Sequence, residues 1–159
     1  MTSQLIKPYQ GNPEIGHLST PISDSAFIRT FINNLPVYRK GLSPIARGLE
    51  IGLAHGYFLV GPEVILGVMR DYSAAPYLGG LVTAIAIVLL GAACMGVHGL
   101  VSLKPSAECD EGTDALKTSE GWSEMTAGFF IGGMSGAFMA FFLLEHFVEI
   151  DAIFRGFVN

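Results

Sequence analysis

The sequence predicts an all-α membrane protein: three transmembrane helices behind an irregular N-terminal segment that contains a short amphipathic helix. Three observations carry this. Half of the 159 residues are hydrophobic and only 14% are charged, whereas about a quarter of an ordinary soluble domain is charged. Two long stretches, 78–103 and 125–144, contain no Asp, Glu, Lys or Arg. Glycine is abundant, with 20 residues, many of them inside the apolar stretches.

Residues 1–43 are broken by Pro8, Pro13, Pro21 and Pro36 together with Gly11 and Gly16, so turns and extended pieces are expected. The opening MTSQLIKPY lacks a long apolar core behind a basic cap, and no cleaved signal peptide is expected. A short helix over 25–33, capped by Asp24, fits the helical spacing of Phe27, Ile28, Phe31, Ile32 and Leu35. Its apolar face suits either the membrane interface or a neighbouring subunit.

The first span, at about 44–62, is the least apolar because it holds Arg47, Glu50 and His55. The second, 78–103, would extend roughly 39 Å as a helix, enough to cross a hydrocarbon core of about 30 Å with some tilt. The acidic loop that follows, with Glu108, Asp110, Glu111, Asp114 and Glu120, reads as a solvated surface. TSEGWS at 118–123 reads as the entry to the third span, at about 122–146, with Trp122 as an interfacial anchor. The chain thus divides into a segment 1–43, a three-helix domain 44–148 and a tail 149–159. Lys7, Arg29, Arg39, Lys40 and Arg47 precede or open the first span, and Lys104 and Lys117 lie between the second and third. Only Arg70 and Arg155 fall on the other side, so the N-terminus is expected on the cytoplasmic-equivalent face and the C-terminus opposite.

A net charge of −5 argues against a nucleic-acid partner. Cys94 and Cys109 suit neither a disulfide framework nor a zinc site. Phosphate-loop, metalloprotease and serine-elbow motifs are missing, and no enzyme is expected. The chemistry-bearing residues are Glu50 and His55, because ionisable groups inside a span mark function by default. Five residues apart on a helix, they point about 140° away from each other. That spacing suits two separate ligands better than one acid–base pair. The structural alternatives are a Glu50–Arg47 pair and a His55 hydrogen bond to another helix. A proton relay in a small transporter or channel is a further functional reading, although three spans without a repeat count against it.

Gly48, Gly52 and Gly56 recur every fourth residue in the first span, as do Gly128, Gly132 and Gly136 in the third. Such stripes favour close helix packing, and less often contact with a flat ligand. Phe130, Phe138 and Phe141 fall away from the second stripe. His98 reads as a polar residue near the interface; His17 and His146 carry no separate signal.

Four stretches resemble a known family: GHLSTPISDS from Gly16, NLPVYRKGLSP from Asn34, RGLEIGLAHGYFLVGP from Arg47 and LKTSEGWSEMTAGFF from Leu116. They are similar to subunit XI of the photosystem I reaction centre, PsaL, of the cyanobacterial type. The resemblance implies a pigment-binding, non-catalytic rim subunit in the thylakoid membrane, with a stromal N-terminus and a lumenal C-terminus. It implies chlorophyll a and carotenoid (beta-carotene) as cofactors, with Glu50 and His55 as axial chlorophyll ligands. The partners it implies are photosystem I core subunits, small single-span subunits, lipids and neighbouring copies in a trimer. It also implies a calcium site at Asp71 with a nearby backbone carbonyl, at Val68 here, where the family pattern has proline.

Overall fold

The computed structural model describes residues 6–8, 18–71 and 74–157. They fall into two units, Met1–Gly41 and Leu42–Asn159. In the first, β1 (Lys7–Pro8) pairs antiparallel with β2 (Leu18–Ser19). The helix α1 covers Ala26–Asn34. Its cap is Ser25, whose hydroxyl accepts from the Ile28 N–H at 3.3 Å. Asp24, the cap expected from sequence, is drawn instead into an ion pair with Arg29. The helix stops at Asn34 because Leu35 precedes Pro36 and is pushed to extended backbone. Phe27, Phe31 and Ile32 stand exposed along it.

In the second unit, α2 (Pro44–Leu66), α3 (Pro76–Ser102) and α4 (Ser119–Glu145) are each long and apolar enough to cross a membrane. Large side chains such as Phe58, Leu66, Leu90 and Leu100 are exposed on them. A water-soluble surface avoids so extended an apolar face, and lipid does not penalise it. Proline opens α2 and α3, where its missing N–H costs nothing. Ser43 caps α2 through the Ala46 N–H.

Three features differ from the sequence reading. α2 runs past Pro62 to Leu66: the proline withdraws one donor from the Phe58 carbonyl without ending the helix. α4 begins earlier than Trp122, because Thr118 caps it by accepting from the Gly121 N–H at 3.2 Å. A further helix, α5 (Phe147–Phe154), forms in what the sequence leaves as a tail. The acidic loop is also tied down. The Ser106 N–H donates to the Glu120 carboxylate at 2.9 Å, and the Ser119 N–H to the Lys104 carbonyl at 3.0 Å.

The second unit is organised by the two glycine stripes, which face each other. A Cβ added to Gly48, Gly52 or Gly56 would overlap the backbone of Met125, Phe129 or Gly133 respectively. One added to Gly128, Gly132 or Gly136 would overlap the carbonyls of Ile45, Leu49 or Leu53. Both series ascend together, so α2 and α4 run parallel, backbone against backbone. Of the two readings of the stripes, close helix packing is therefore the observed one. Packing is the main source of association between helices in lipid, where burial of apolar surface supplies no net gain. α3 closes against this pair. Val88 lies against Gly133, Val64 against Gly80, and Val60, Leu81, Ala84, Ala137 and Ala140 form the core. Near the other end Trp122 packs on Gly99, and its Nε1 donates to the Met95 carbonyl at 2.8 Å.

Gly52→Ala is expected to lower the thermal stability of the purified complex, by about 1–3 kcal/mol for a methyl forced into a closed interface. At Gly96 a Cβ meets nothing within 4 Å, so Gly96→Ala should be neutral or mildly stabilising. Equal melting temperatures for the two variants would contradict the packing. Trp122→Phe should cost about 1 kcal/mol through the lost hydrogen bond, read as a lower melting temperature; an unchanged value would remove that tie between α3 and α4.

Candidate functional site

With the glycine face of α2 committed to α4, its other side chains are distributed around the remaining surface. His55 is exposed on α2. Its Nδ1 lies 2.7 Å from the Ile51 carbonyl, one turn back on the same helix. A carbonyl only accepts, so Nδ1 carries a proton, and in the neutral imidazole Nε2 is the nitrogen that keeps a lone pair. The sequence alternative, a bond to another helix, is thus replaced by one within α2. Phe129 of α4 meets the imidazole edge-on, with centroids 5.8 Å apart and planes at 62°. The ring therefore has one nitrogen fixed by backbone and one face braced by an aromatic. Its remaining side borders an open groove of about 270 Å³, lined by Ala54, His55, Phe58 and Leu59.

A neutral imidazole whose Nδ1–H is held by a carbonyl is the usual state of a metal-binding histidine: the second nitrogen fixes tautomer and orientation. The groove beside it has mostly apolar walls. The arrangement can donate one electron pair to a cation that brings its other ligands with it.

Glu50 is half-buried and engaged within the chain, as is Arg47, whose Nε also donates to the Leu42 carbonyl at 3.2 Å. Glu50 and His55 are not brought together, in keeping with their offset along one helix. Asp71 and Val68 lie beyond the far end of α2. Val68 is 87% exposed, and the Asp71 carboxylate sits 3.9 Å from the Arg70 guanidinium on an open surface. Among the described residues no cluster of three or more His, Cys, Asp or Glu side chains assembles a metal site.

A second apolar groove, about 430 Å³, runs between the C-terminal half of α2, α4 and α5. Tyr57, Phe58, Pro62, Leu144, Phe147 and Ile150 are among its walls, and Phe58 also borders the His55 groove. His98 on α3 is exposed and packs edge-on to Trp122, with centroids 5.1 Å apart. His146 joins α4 to α5 and touches Phe142. His17 lies outside the described residues. Sequence reasoning missed Phe129, because its meeting with His55 follows only once the parallel register of the two stripes is known. It also missed the Ile51 carbonyl, although the four-residue spacing to His55 was available as a signal.

A family model for photosystem I reaction centre subunit XI matches residues 5–148. Three proteins named photosystem I reaction center subunit XI are similar over nearly the whole length. That of Trichodesmium erythraeum (strain IMS101) is 60% identical over 157 residues, 99% of this chain and 96% of the relative. The protein of Thermosynechococcus vestitus (strain NIES-2133 / IAM M-273 / BP-1) is 57% identical over 159 residues, the full length of both. In Synechocystis sp. (strain ATCC 27184 / PCC 6803 / Kazusa) identity is 56% over 158 residues, 99% of this chain and 98% of the relative. The conclusion from sequence similarity and the three-span fold is that this chain belongs to the photosystem I reaction centre subunit XI family, of the cyanobacterial type.

Proposed function

We propose that this chain is a non-catalytic, pigment-holding subunit of photosystem I in the thylakoid membrane, with His55 and Glu50 as axial ligands to two chlorophyll a molecules. The observation that carries the reading is His55: Nδ1–H held by the Ile51 carbonyl, Nε2 left as a donor, and an apolar groove beside it. These residues fit a magnesium tetrapyrrole, to whose metal His55 would supply one electron pair beyond those of the macrocycle. When bound, such a ring absorbs visible light and passes excitation to its neighbours. The chain's own part is to supply the lone pair, to hold the imidazole against Phe129 and to keep water out with Phe58 and Leu59. Glu50, on another side of α2, would supply a carboxylate oxygen to a second ring, exchanging its contact within the chain for it. The groove walled by Phe58, Pro62 and Phe147 suits an elongated apolar cofactor, and carotenoid is assigned there.

Orientation rests on the basic residues: segment 1–43 and the loop between α3 and α4 are stromal, 44–148 is embedded, and the tail 149–159 is lumenal. The outward apolar faces of α2, α3 and α4 meet photosystem I core subunits, small single-span subunits, lipids and neighbouring copies in a trimer. Calcium at Asp71 has weaker support. Calcium takes six to eight oxygens, and the described surroundings of Asp71 offer one carboxylate beside a guanidinium, so this chain alone does not fit a complete site.

His55→Leu should remove one chlorophyll per copy from the purified complex, and Glu50→Leu a different one, with the double variant losing both. Pigment stoichiometry and low-temperature absorption read this. An unchanged pigment content and spectrum in the assembled His55→Leu complex would refute the ligand role.

A further inference from the structure

Tyr57 carries the only polar side chain among the described residues that line the groove between α2, α4 and α5. Its ring meets Phe58 edge-on, with centroids 5.3 Å apart and planes at 90°. Among the described residues its hydroxyl makes no hydrogen bond. Tyr57 lies nine residues before α2 ends at Leu66, about 14 Å along the helix and well inside the span. A tyrosine hydroxyl away from water usually finds a partner, and one left unpaired in hydrocarbon is costly.

The same wall holds a second polar group, in the backbone. Pro62 has no N–H to give the Phe58 carbonyl, and Phe58, Gly61 and Pro62 all line the groove. A Cβ added to Gly61 meets nothing within 4 Å, so the chain is bare there. In lipid a carbonyl deprived of its helical donor needs another, and among the described residues lining the groove Tyr57 carries the only side-chain donor. The wall therefore offers one donor and one acceptor in otherwise apolar surroundings.

We propose that this groove is selective for a hydroxylated carotenoid, whose terminal hydroxyl accepts from the Tyr57 phenol and donates to the Phe58 carbonyl. The proposal rests on the reading above that a carotenoid occupies the groove, and specifies which kind. A hydrocarbon carotene leaves both groups unpaired. A keto carotenoid accepts from Tyr57 and leaves the carbonyl without a donor. A site built to hydrogen-bond a hydroxyl rejects the analogue that lacks it far more strongly than apolar contact alone can. The groove also shares Phe58 with the one beside His55, so its occupant adjoins the proposed pigment, which argues for a polyene over an acyl chain.

The test uses intact photosystem I complexes from a host that makes both hydrocarbon and hydroxylated carotenoids, carrying the native chain, Tyr57→Phe or Pro62→Ala. Density maps and carotenoid stoichiometry are the readouts. Phenylalanine keeps the ring edge against Phe58 and removes only the oxygen; alanine returns an N–H to the Phe58 carbonyl. The expected result is one hydroxylated carotenoid per copy in the native groove, its hydroxyl against Tyr57. Tyr57→Phe should exchange it for a hydrocarbon carotenoid, and Pro62→Ala should lower its share. A hydrocarbon or keto carotenoid in the native groove, or full retention of the hydroxylated one in Tyr57→Phe, overturns the selectivity and leaves the proposed function standing. Full retention in Pro62→Ala overturns the part given to the carbonyl. Lipid, water or a neighbouring side chain against Tyr57 overturns the selectivity together with the carotenoid assignment, and a ring at His55 in the same map decides the rest of the proposed function separately.

Discussion

Two stripes of glycine let α2 and α4 meet backbone to backbone, and the rest of the embedded unit depends on that contact. In water, two helices with such faces would associate weakly, since glycine brings almost no apolar area to bury. In lipid the comparison changes, because apolar area gives no advantage and close approach does. Six glycines, three on each helix, leave no room for a methyl group. The contact therefore fixes register as well as distance. A shift by one residue would place a side chain where only hydrogen fits.

From that register the candidate site follows. Once Gly48, Gly52 and Gly56 are turned towards α4, Glu50 and His55 are carried to other sides of α2. The same register brings Phe129 beside the imidazole and leaves the opposite side open. The bond from His55 to the Ile51 carbonyl then selects the tautomer. Packing and polar chemistry thus share one helix: one face is spent on a neighbour's backbone, and the remainder carries the two ionisable side chains. α3 completes the arrangement through Val88 on Gly133 and Trp122 on Gly99, both again large side chains against glycine.

Much of the fold was legible in the residues because lipid imposes a coarse rule. A charge-free apolar run as long as 78–103 suits little besides a membrane span, and TSEGWS marks the approach to the third. Features set by competition were harder to read. Asp24 and Ser25 are both good caps, and Arg29 decided between them by claiming the carboxylate. Pro62 looks like a terminator, yet the helix tolerates one missing donor. α5 is short and mixes Glu149 and Asp151 with aromatics, so its pattern is faint. At the site, the identity and offset of Glu50 and His55 were plain. The brace from Phe129 was not, since it lies 74 positions away in the chain and depends on how two stripes interlock.

The most direct test of the central claim is a density map of the intact photosystem I complex containing this chain, resolved well enough to place side chains on α2. The account predicts Nε2 of His55 against the metal of a tetrapyrrole, Nδ1 against the Ile51 carbonyl, and the α2 glycines in van der Waals contact with the α4 backbone. A map in which Nε2 meets only protein, lipid or water, while α2 and α4 stand apart, would contradict it.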